Sequence, residues 1–240
     1  MGKHLIYYIF FLTFLIGQTT QKFIYKTKFR SINVGTTEIT IQDNSIDTTQ
    51  KIITIESFSN KWLDMLYKLR HYSTLIINSN DYSLLTMTQK VQQADYIDSY
   101  NVAIDYHTGK MHYIQYDDLE QGKEIIFPIK NKIYDPFSIV YYLQNIPLDI
   151  NQKPLFTYYS RKKIKSLKLE ILKPEKIRTP YVTAFCHLVV PQSTNGKYLL
   201  KNKGEMKIWY TADSLQIPIK IQQKMRHGVM ELLLIDYYEK

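Results

Sequence analysis

The sequence has a single cysteine, Cys186, in 240 residues, and only 8 Gly and 8 Pro. One thiol can form neither an intrachain disulfide nor a thiolate zinc site. No apolar run reaches the roughly 20 residues that span a bilayer as a helix. With 45% hydrophobic and 22% charged residues, the composition excludes a disordered or low-complexity chain. It predicts one globular domain that needs no covalent or metal crosslink to hold its core.

The start of the chain is typical of a secretory signal. Lys3 precedes an apolar run from Leu5 to Ile16 that only Thr13 interrupts, and small or polar residues follow up to Gln21. Residues 1–21 are therefore predicted to be a signal peptide. An uncleaved anchor is the alternative, because the residues after Ile16 do not form a clean cleavage site; a buried N-terminal helix or strand is a third. Residues 22–240 are expected to form one β-rich domain exported to the periplasm or cell envelope.

The formal charge of +9 could suit nucleic acid, but export excludes that partner. Outside the cytoplasm, a basic surface meets anionic lipid headgroups or acidic glycans, so peripheral membrane contact is one expectation. The alternative is that the positive charge, which is spread along the chain, only keeps the protein soluble.

Most of the sequence shows the period of two that is typical of strands. Gly35 is predicted to be a turn between the first two, and the short connections favour antiparallel hairpins. The predicted strands are residues 23–33, 36–42, 51–56, 72–77, 84–91, 100–107, 111–116, 124–129, 155–159, 164–173, 182–190, 205–210, 217–225 and 229–238.

Two short helices interrupt the strands. Apolar residues at helical spacing predict the first over Trp62 to Leu69. Asp135 as N-cap and Pro136 as first helical residue predict the start of the second, which Asn145 and Pro147 end. The fold class is thus mainly β: a curved antiparallel sheet, either half-barrel or open barrel, with about two short helices.

Four segments follow a pattern found in a known family: Tyr134-Asp135-Pro136-Phe137-Ser138-Ile139-Val140-Tyr141-Tyr142-Leu143, Lys176-Ile177-Arg178-Thr179-Pro180, Met206-Lys207-Ile208-Trp209-Tyr210 and Ile217-Pro218-Ile219-Lys220-Ile221. Through them the chain resembles the exported bacterial proteins called domain of unknown function 3108, over nearly all of residues 22–240. The resemblance implies a secreted antiparallel β protein, akin to half-barrel envelope proteins that carry lipoproteins or sense lipids. Gln144 and Tyr181 depart from the family pattern, which often has Arg and Gly there.

Asp105, His107 and His112 form the candidate metal site. If Thr108 and Gly109 are the two turn residues, Asp105 lies opposite His112 and His107 is on the same face, so the three could ligate zinc and leave a position for water. The alternative is a solvated hairpin face, which a shift of one residue in register would produce.

Other catalytic signals are weak. Cys186 and His187 are adjacent in a strand and point to opposite faces, so a buried thiol is favoured over a nucleophile with its base, unless His227 approaches it. Asp117 and Asp118 are predicted to be turn residues. No glycine-rich phosphate loop or nucleophile elbow is found, so no cofactor is predicted.

The 21 Tyr and 10 Phe residues leave two interpretations. They could line a concave sheet that binds a lipid or glycan, or they could be core and cross-strand packing. The leading hypothesis is a non-enzymatic envelope protein that binds a hydrophobic or glycan ligand or an envelope partner on this sheet. A metal-assisted hydrolase and a structural assembly component that presents sheet edges are the alternatives.

Overall fold

The computed structural model describes residues 19–116, 122–160, 163–194, 205–225 and 228–240. The predicted signal peptide lies almost wholly outside these residues, as do Asp117, Asp118 and His227. The strands are β1 (Thr20–Phe29), β2 (Ile32–Asp43), β3 (Gln50–Ser59), β4 (Leu69–Asn78), β5 (Leu84–Gln93), β6 (Tyr96–Asp105), β7 (Lys110–Tyr116), β8 (Gly122–Pro128), β9 (Ile133–Tyr134), β10 (Leu155–Ser160), β11 (Lys163–Arg178), β12 (Thr183–Ser193), β13 (Glu205–Thr211), β14 (Pro218–Met225) and β15 (Gly228–Glu239); the helices are α1 (Lys61–Asp64) and α2 (Pro136–Gln144).

All the described strands belong to one sheet made of two meanders. Strands β1 to β8 pair in chain order, β9 to β15 do the same, and β1 pairs with β15 to join the two halves. Every pairing is antiparallel except that of β9 with β10. The sheet is open, because β8 and β9 are its two edges. The predicted fold class, a mainly β open antiparallel sheet with short helices, is confirmed.

The sheet curls until its two halves face each other. Tyr159 on β10 packs on Tyr100 of β6 and Tyr113 of β7, with ring centroids 6.5 and 6.0 Å apart. These strands are far apart in the strand order, so only strong curvature of the sheet can bring their rings together. The concave face that results carries most of the core, in which alternate residues of β1, such as Phe23 and Tyr25, are fully buried.

Helix α2 lies inside this concave face. The ring of Tyr141 packs on Phe23 of β1 at 5.0 Å, and Tyr210 of β13 donates its hydroxyl hydrogen to the Val140 carbonyl at 2.8 Å. As the sequence predicts, Asp135 is the N-cap: its side chain accepts a hydrogen bond from the Phe137 N–H at 2.8 Å. The helix thus fills the part of the groove that the sheet would otherwise leave open.

Two sequence predictions about local structure are wrong. Gly35 is not a turn: the turn is at Arg30 and Ser31, which have positive φ angles of 47° and 68°. Gly35 lies within β2, where a Cβ atom would be 2.1 Å from the Phe58 carbonyl oxygen of β3, so the close approach of two backbones requires glycine.

The first helix is also shorter than predicted. It contains only Lys61–Asp64, and its N-cap Asn60 makes no side-chain capping hydrogen bond. Three of the apolar residues that predict a longer helix do not face the core, because Trp62, Leu66 and Tyr67 are exposed. No helix in the described part of the chain is long and apolar enough to cross a bilayer.

Candidate functional site

The three predicted metal ligands do not come together. The β6–β7 turn contains four residues, 106–109, so Asp105 pairs with Lys110 and His112 pairs with Ala103. The expected register, with Asp105 opposite His112, is therefore wrong.

The reason is local turn chemistry. The Asp105 carboxylate accepts hydrogen bonds from the N–H groups of His107 at 2.8 Å and Thr108 at 3.0 Å, which closes an Asx turn. His112 lies further along, where its Nδ1 is 2.7 Å from Glu124 Oε1 on β8. Within the described residues, no three His, Cys, Asp or Glu side chains are grouped so that they could hold a metal ion.

Cys186 has the properties of a core residue. Its side chain is fully buried, and burial, together with the charges of Asp213 and Glu175, raises the pKa of the thiol to about 11. A reactive cysteine needs the opposite shift, because the thiolate is the nucleophile. His187 points to the other face of β12, in agreement with strand geometry.

Several aromatic side chains of the concave face pack around α2. Tyr25, Tyr141 and Tyr210 are fully buried, and burial raises the pKa of each hydroxyl. A second group forms on the α2 side of β10, where Phe156 contacts Tyr134 at 5.0 Å and Tyr142 at 5.5 Å. These rings stabilise the contact between sheet and helix, so they are core rather than an open aromatic groove.

An apolar cleft lies on the concave face beside the first turn of α2, among the residues that the structure describes. Its volume is about 110 Å³. Phe137 is the one aromatic residue in its lining, and Gln223 is the one polar side chain. The full lining is Pro136, Phe137, Val140, Met206, Ile221, Gln223, Met230 and Leu232.

The register of the last three strands forms the floor of this cleft. Met206 of β13 pairs with Gln223 of β14, which pairs with Met230 of β15. Ile221 and Leu232 form the next row on the same face. The two methionine side chains are partly exposed, and their flexible thioethers can adapt to an apolar group of irregular shape.

The N-cap of α2 is the buried acid Asp135, which directly precedes the cleft residue Pro136. Asp135 is 6% exposed, and burial raises its carboxyl pKa to about 7, although hydrogen bonds from the Phe137 and Ser138 N–H groups oppose the shift. The backbone N–H of Asp135 donates to Ser138 Oγ at 3.1 Å, which completes a capping box. The N-cap of α2 is thus a carboxyl group whose pKa is raised by burial.

A row of polar side chains occupies another part of the concave face. Thr37 links Thr27 and Ser57 through hydroxyl contacts of 3.1 and 3.0 Å. On β4, His71 Nε2 is 3.0 Å from Ser73 Oγ, which donates to Gln89 of β5. Burial lowers the pKa of His71. These groups hydrogen-bond to one another, so they form a buried polar network within the sheet.

Sequence reasoning missed the residues that line the cleft. Met206 and Ile221 belong to segments that carry the family resemblance, but nothing in a single segment shows that they meet Met230 across three strands. The usable signal was the set of predicted strands 205–210, 217–225 and 229–238, but strand bounds alone do not fix the register that aligns Gln223 with Met230.

Comparison with known proteins supports the fold and the family. A crystal structure of a β-barrel-like protein of domain of unknown function DUF1849 from Brucella abortus matches with a TM-score of 0.56 and 8% sequence identity, over 92% of this chain and 98% of that one. This likeness is one of fold alone. No curated protein matches the sequence. The profile of the protein family of unknown function DUF3108 matches residues 24–234, nearly the whole described chain, and the chain therefore belongs to this family.

Proposed function

We propose that this chain is an exported cell-envelope protein that binds the apolar end of a ligand, such as an acyl chain, in the cleft beside α2 and performs no covalent chemistry on it. The observation that carries the proposal is the cleft itself. Seven of its eight lining side chains are apolar, and it opens on the concave face of a curved sheet. Apolar clefts with few polar groups are the usual form of ligand sites in proteins.

The chemistry of the lining favours a flexible aliphatic group over a sugar. Sugar sites need several hydrogen-bonding groups and exposed rings, whereas this cleft offers Gln223 as its polar side chain and Phe137 as its ring. Met206 and Met230 on opposite sides supply polarizable and adaptable contacts. A hydrophobic ligand therefore fits this cleft better than a glycan.

A binding experiment with a fluorescent fatty acid tests the proposal. The wild-type chain should bind the probe, and Met230→Glu should weaken binding about tenfold or more, because a carboxylate would have to enter an apolar cleft. Val229→Glu is the matched control: it adds the same charge one residue away on the opposite face of β15. No probe binding by the wild type, or equal loss in both variants, would contradict the proposal.

Export is tested separately. Support for it comes from Lys3 and the apolar run of Leu5 to Ile16. Expressed in full in a bacterium, the chain should be recovered from the envelope fraction, with its mass reduced by the leader or with the leader holding it in a membrane. Intact chain found free in the cytosol would refute export.

A further inference from the structure

A cluster of exposed apolar side chains lies at one end of the sheet. The segment that contains α1 exposes Trp62 by 53%, Met65 by 89% and Leu66 by 81%, with Tyr67 beside them. Ile32 and Tyr96 are exposed nearby. These six side chains are called the α1 rim. Apolar side chains scattered singly are normal on protein surfaces, but several of them at one end of a sheet are a candidate site of interaction.

Backbone hydrogen bonds join the parts of the rim. Asn60 N–H donates to the Val34 carbonyl at 2.9 Å, which ties the start of α1 to the β1–β2 hairpin. Ala94 N–H donates to the Lys68 carbonyl at 2.8 Å, which ties the β5–β6 turn to the end of the same segment. The rim therefore spans three neighbouring connections at one end of the sheet.

The charges around the rim are mainly basic. Lys61 and Lys68 are exposed at the two ends of the α1 segment. The acid between them, Asp64, is held by Arg70, whose hydrogen bonds lower the pKa of that carboxyl to about 2. Arg30 lies in the β1–β2 turn beside Ile32, and the β5–β6 turn adds one acid, Asp95. The rim thus combines aromatic and aliphatic side chains with flanking cations.

We propose that the α1 rim docks this protein on the surface of an anionic lipid bilayer. Trp and Tyr prefer the boundary between headgroups and acyl chains, and Met and Leu can enter the acyl region. Lysines beside them meet anionic headgroups. Protein interfaces also favour Trp, Tyr and Met but are depleted of lysine, so the flanking Lys61 and Lys68 favour a lipid surface over a protein partner.

The rim and the cleft lie at the same end of the molecule. Met206 lies near the start of β13 and Met230 near the start of β15. The start of β15 is next to the β1–β2 turn, because the Arg30 N–H donates to the Val229 carbonyl at 3.0 Å. Docking through the rim would therefore bring the cleft close to the lipid. Docking itself does not depend on the cleft, and the two proposals can fail separately.

Tryptophan fluorescence tests the docking directly. The chain has two Trp residues, of which Trp209 is 6% exposed and Trp62 is on the rim. With the full chain, vesicles of phosphatidylcholine and phosphatidylglycerol should shift the emission to shorter wavelength, and Trp62→Phe should remove the shift. Emission is the chosen readout because the apolar run of Leu5 to Ile16 could enter vesicles without the rim.

Variants separate the apolar and the electrostatic contributions to vesicle binding. Met65→Ser combined with Leu66→Ser should weaken binding about tenfold or more. Lys61→Gln and Lys68→Gln should each weaken it about fivefold. Ile46→Ser is the matched control, because Ile46 is 94% exposed in the β2–β3 connection at the opposite end of the sheet.

Three results would overturn the proposal. The first is unchanged Trp62 emission with anionic vesicles. The second is an equal shift with vesicles of phosphatidylcholine alone, which would exclude recognition of anionic headgroups. The third is a loss of binding in Ile46→Ser as large as that of the rim variant.

Discussion

Replacement of Asp135 by Asn should change how the stability of this protein depends on pH. The carboxyl group of Asp135 caps α2 from a buried position, and burial raises its pKa to about 7 from the ordinary value of 3.8. Asparagine keeps the carbonyl oxygen that accepts from the Phe137 N–H but cannot ionise. The variant therefore removes the titration and keeps the cap.

Proton linkage sets the direction in which pH changes the stability of the folded chain. Between about pH 4 and about pH 7 the folded chain keeps a proton on Asp135 that the unfolded chain has released, so the free energy of unfolding falls as pH rises through this window and levels off above it. The difference between a carboxyl pKa of 3.8 and one of about 7 corresponds to about 4 kcal/mol. Asp135→Asn should match the wild type near pH 4 and be more stable by up to this amount above pH 7.

Other groups titrate in the same pH range, and their contribution to the pH dependence of stability must be subtracted. Burial lowers the pKa of His71, so its contribution has the opposite sign: stability is lost as pH falls below the ordinary histidine pKa. Both proteins contain His71, and the difference between their curves cancels it. Urea unfolding at a series of pH values gives the two curves.

A matched control is Asp105→Asn. Asp105 is exposed, and hydrogen bonds from Thr108 and His107 lower its carboxyl pKa, so it stays ionised throughout the window. Its curve should run parallel to that of the wild type. Parallel curves for Asp135→Asn and the wild type from about pH 4 to about pH 8 would refute the assignment of a raised pKa to Asp135.

Two further predictions concern packing. Gly35→Ala should lower the free energy of unfolding by about 3 kcal/mol, because the added Cβ would be 2.1 Å from the Phe58 carbonyl oxygen. Gly109→Ala should lower it by only about 1 kcal/mol, because Gly109 has a positive φ of 67°. A thermal melt in which Gly109→Ala is the less stable variant would contradict the close approach of β2 and β3. Cys186 should react slowly with thiol reagents in the folded chain and fast in urea, because it is fully buried and its pKa is raised; equal rates would show that the thiol is accessible.

The period of two along the chain was enough to predict the sheet. Burial in β1 alternates at Phe23, Tyr25 and Thr27, and the same alternation continues in β2 at Thr37, Ile39 and Ile41. The cap of α2 was predictable for a similar reason, because Asp135 and Pro136 act through contacts within four residues of chain. Sequence patterns therefore predict a structural feature well when residues close in the chain produce it.

Turn positions were less predictable. Glycine usually marks a turn, but Gly35 is required by the backbone of β3, a contact that only the folded sheet creates. The β6–β7 turn has four residues because Asp105 binds the backbone ahead of it, and this moved His112 away from the predicted ligand set. Each error arose because a turn can be closed in several ways and the rest of the sheet decides between them.

A curved sheet is predicted from the sequence, but no pattern in the sequence shows how strongly the sheet curves. Tyr100 and Tyr159 are polar-tipped aromatic residues in strands that are far apart along the chain, and only the closed-up shape brings their rings to 6.5 Å. The sequence leaves two interpretations of the aromatic residues, a ligand surface or core and cross-strand packing, and the rings of Tyr141, Tyr142 and Phe156 are packed between the sheet and α2. Helix α2 itself occupies the space that a half-barrel would leave for a large ligand.

The position of α2 also limits what the cleft can hold. Its volume of about 110 Å³ is below the roughly 300 to 1,000 Å³ of sites that enclose a whole small molecule, and it approaches the roughly 150 Å³ of a cavity that holds benzene. A ligand can thus bury only its end unless α2 moves. Movement would break the bond from Tyr210 to the Val140 carbonyl and expose the Asp135 carboxyl to water, where ionisation becomes easier. Rising pH should therefore favour a longer buried segment of ligand, because it weakens the helix's hold on the sheet.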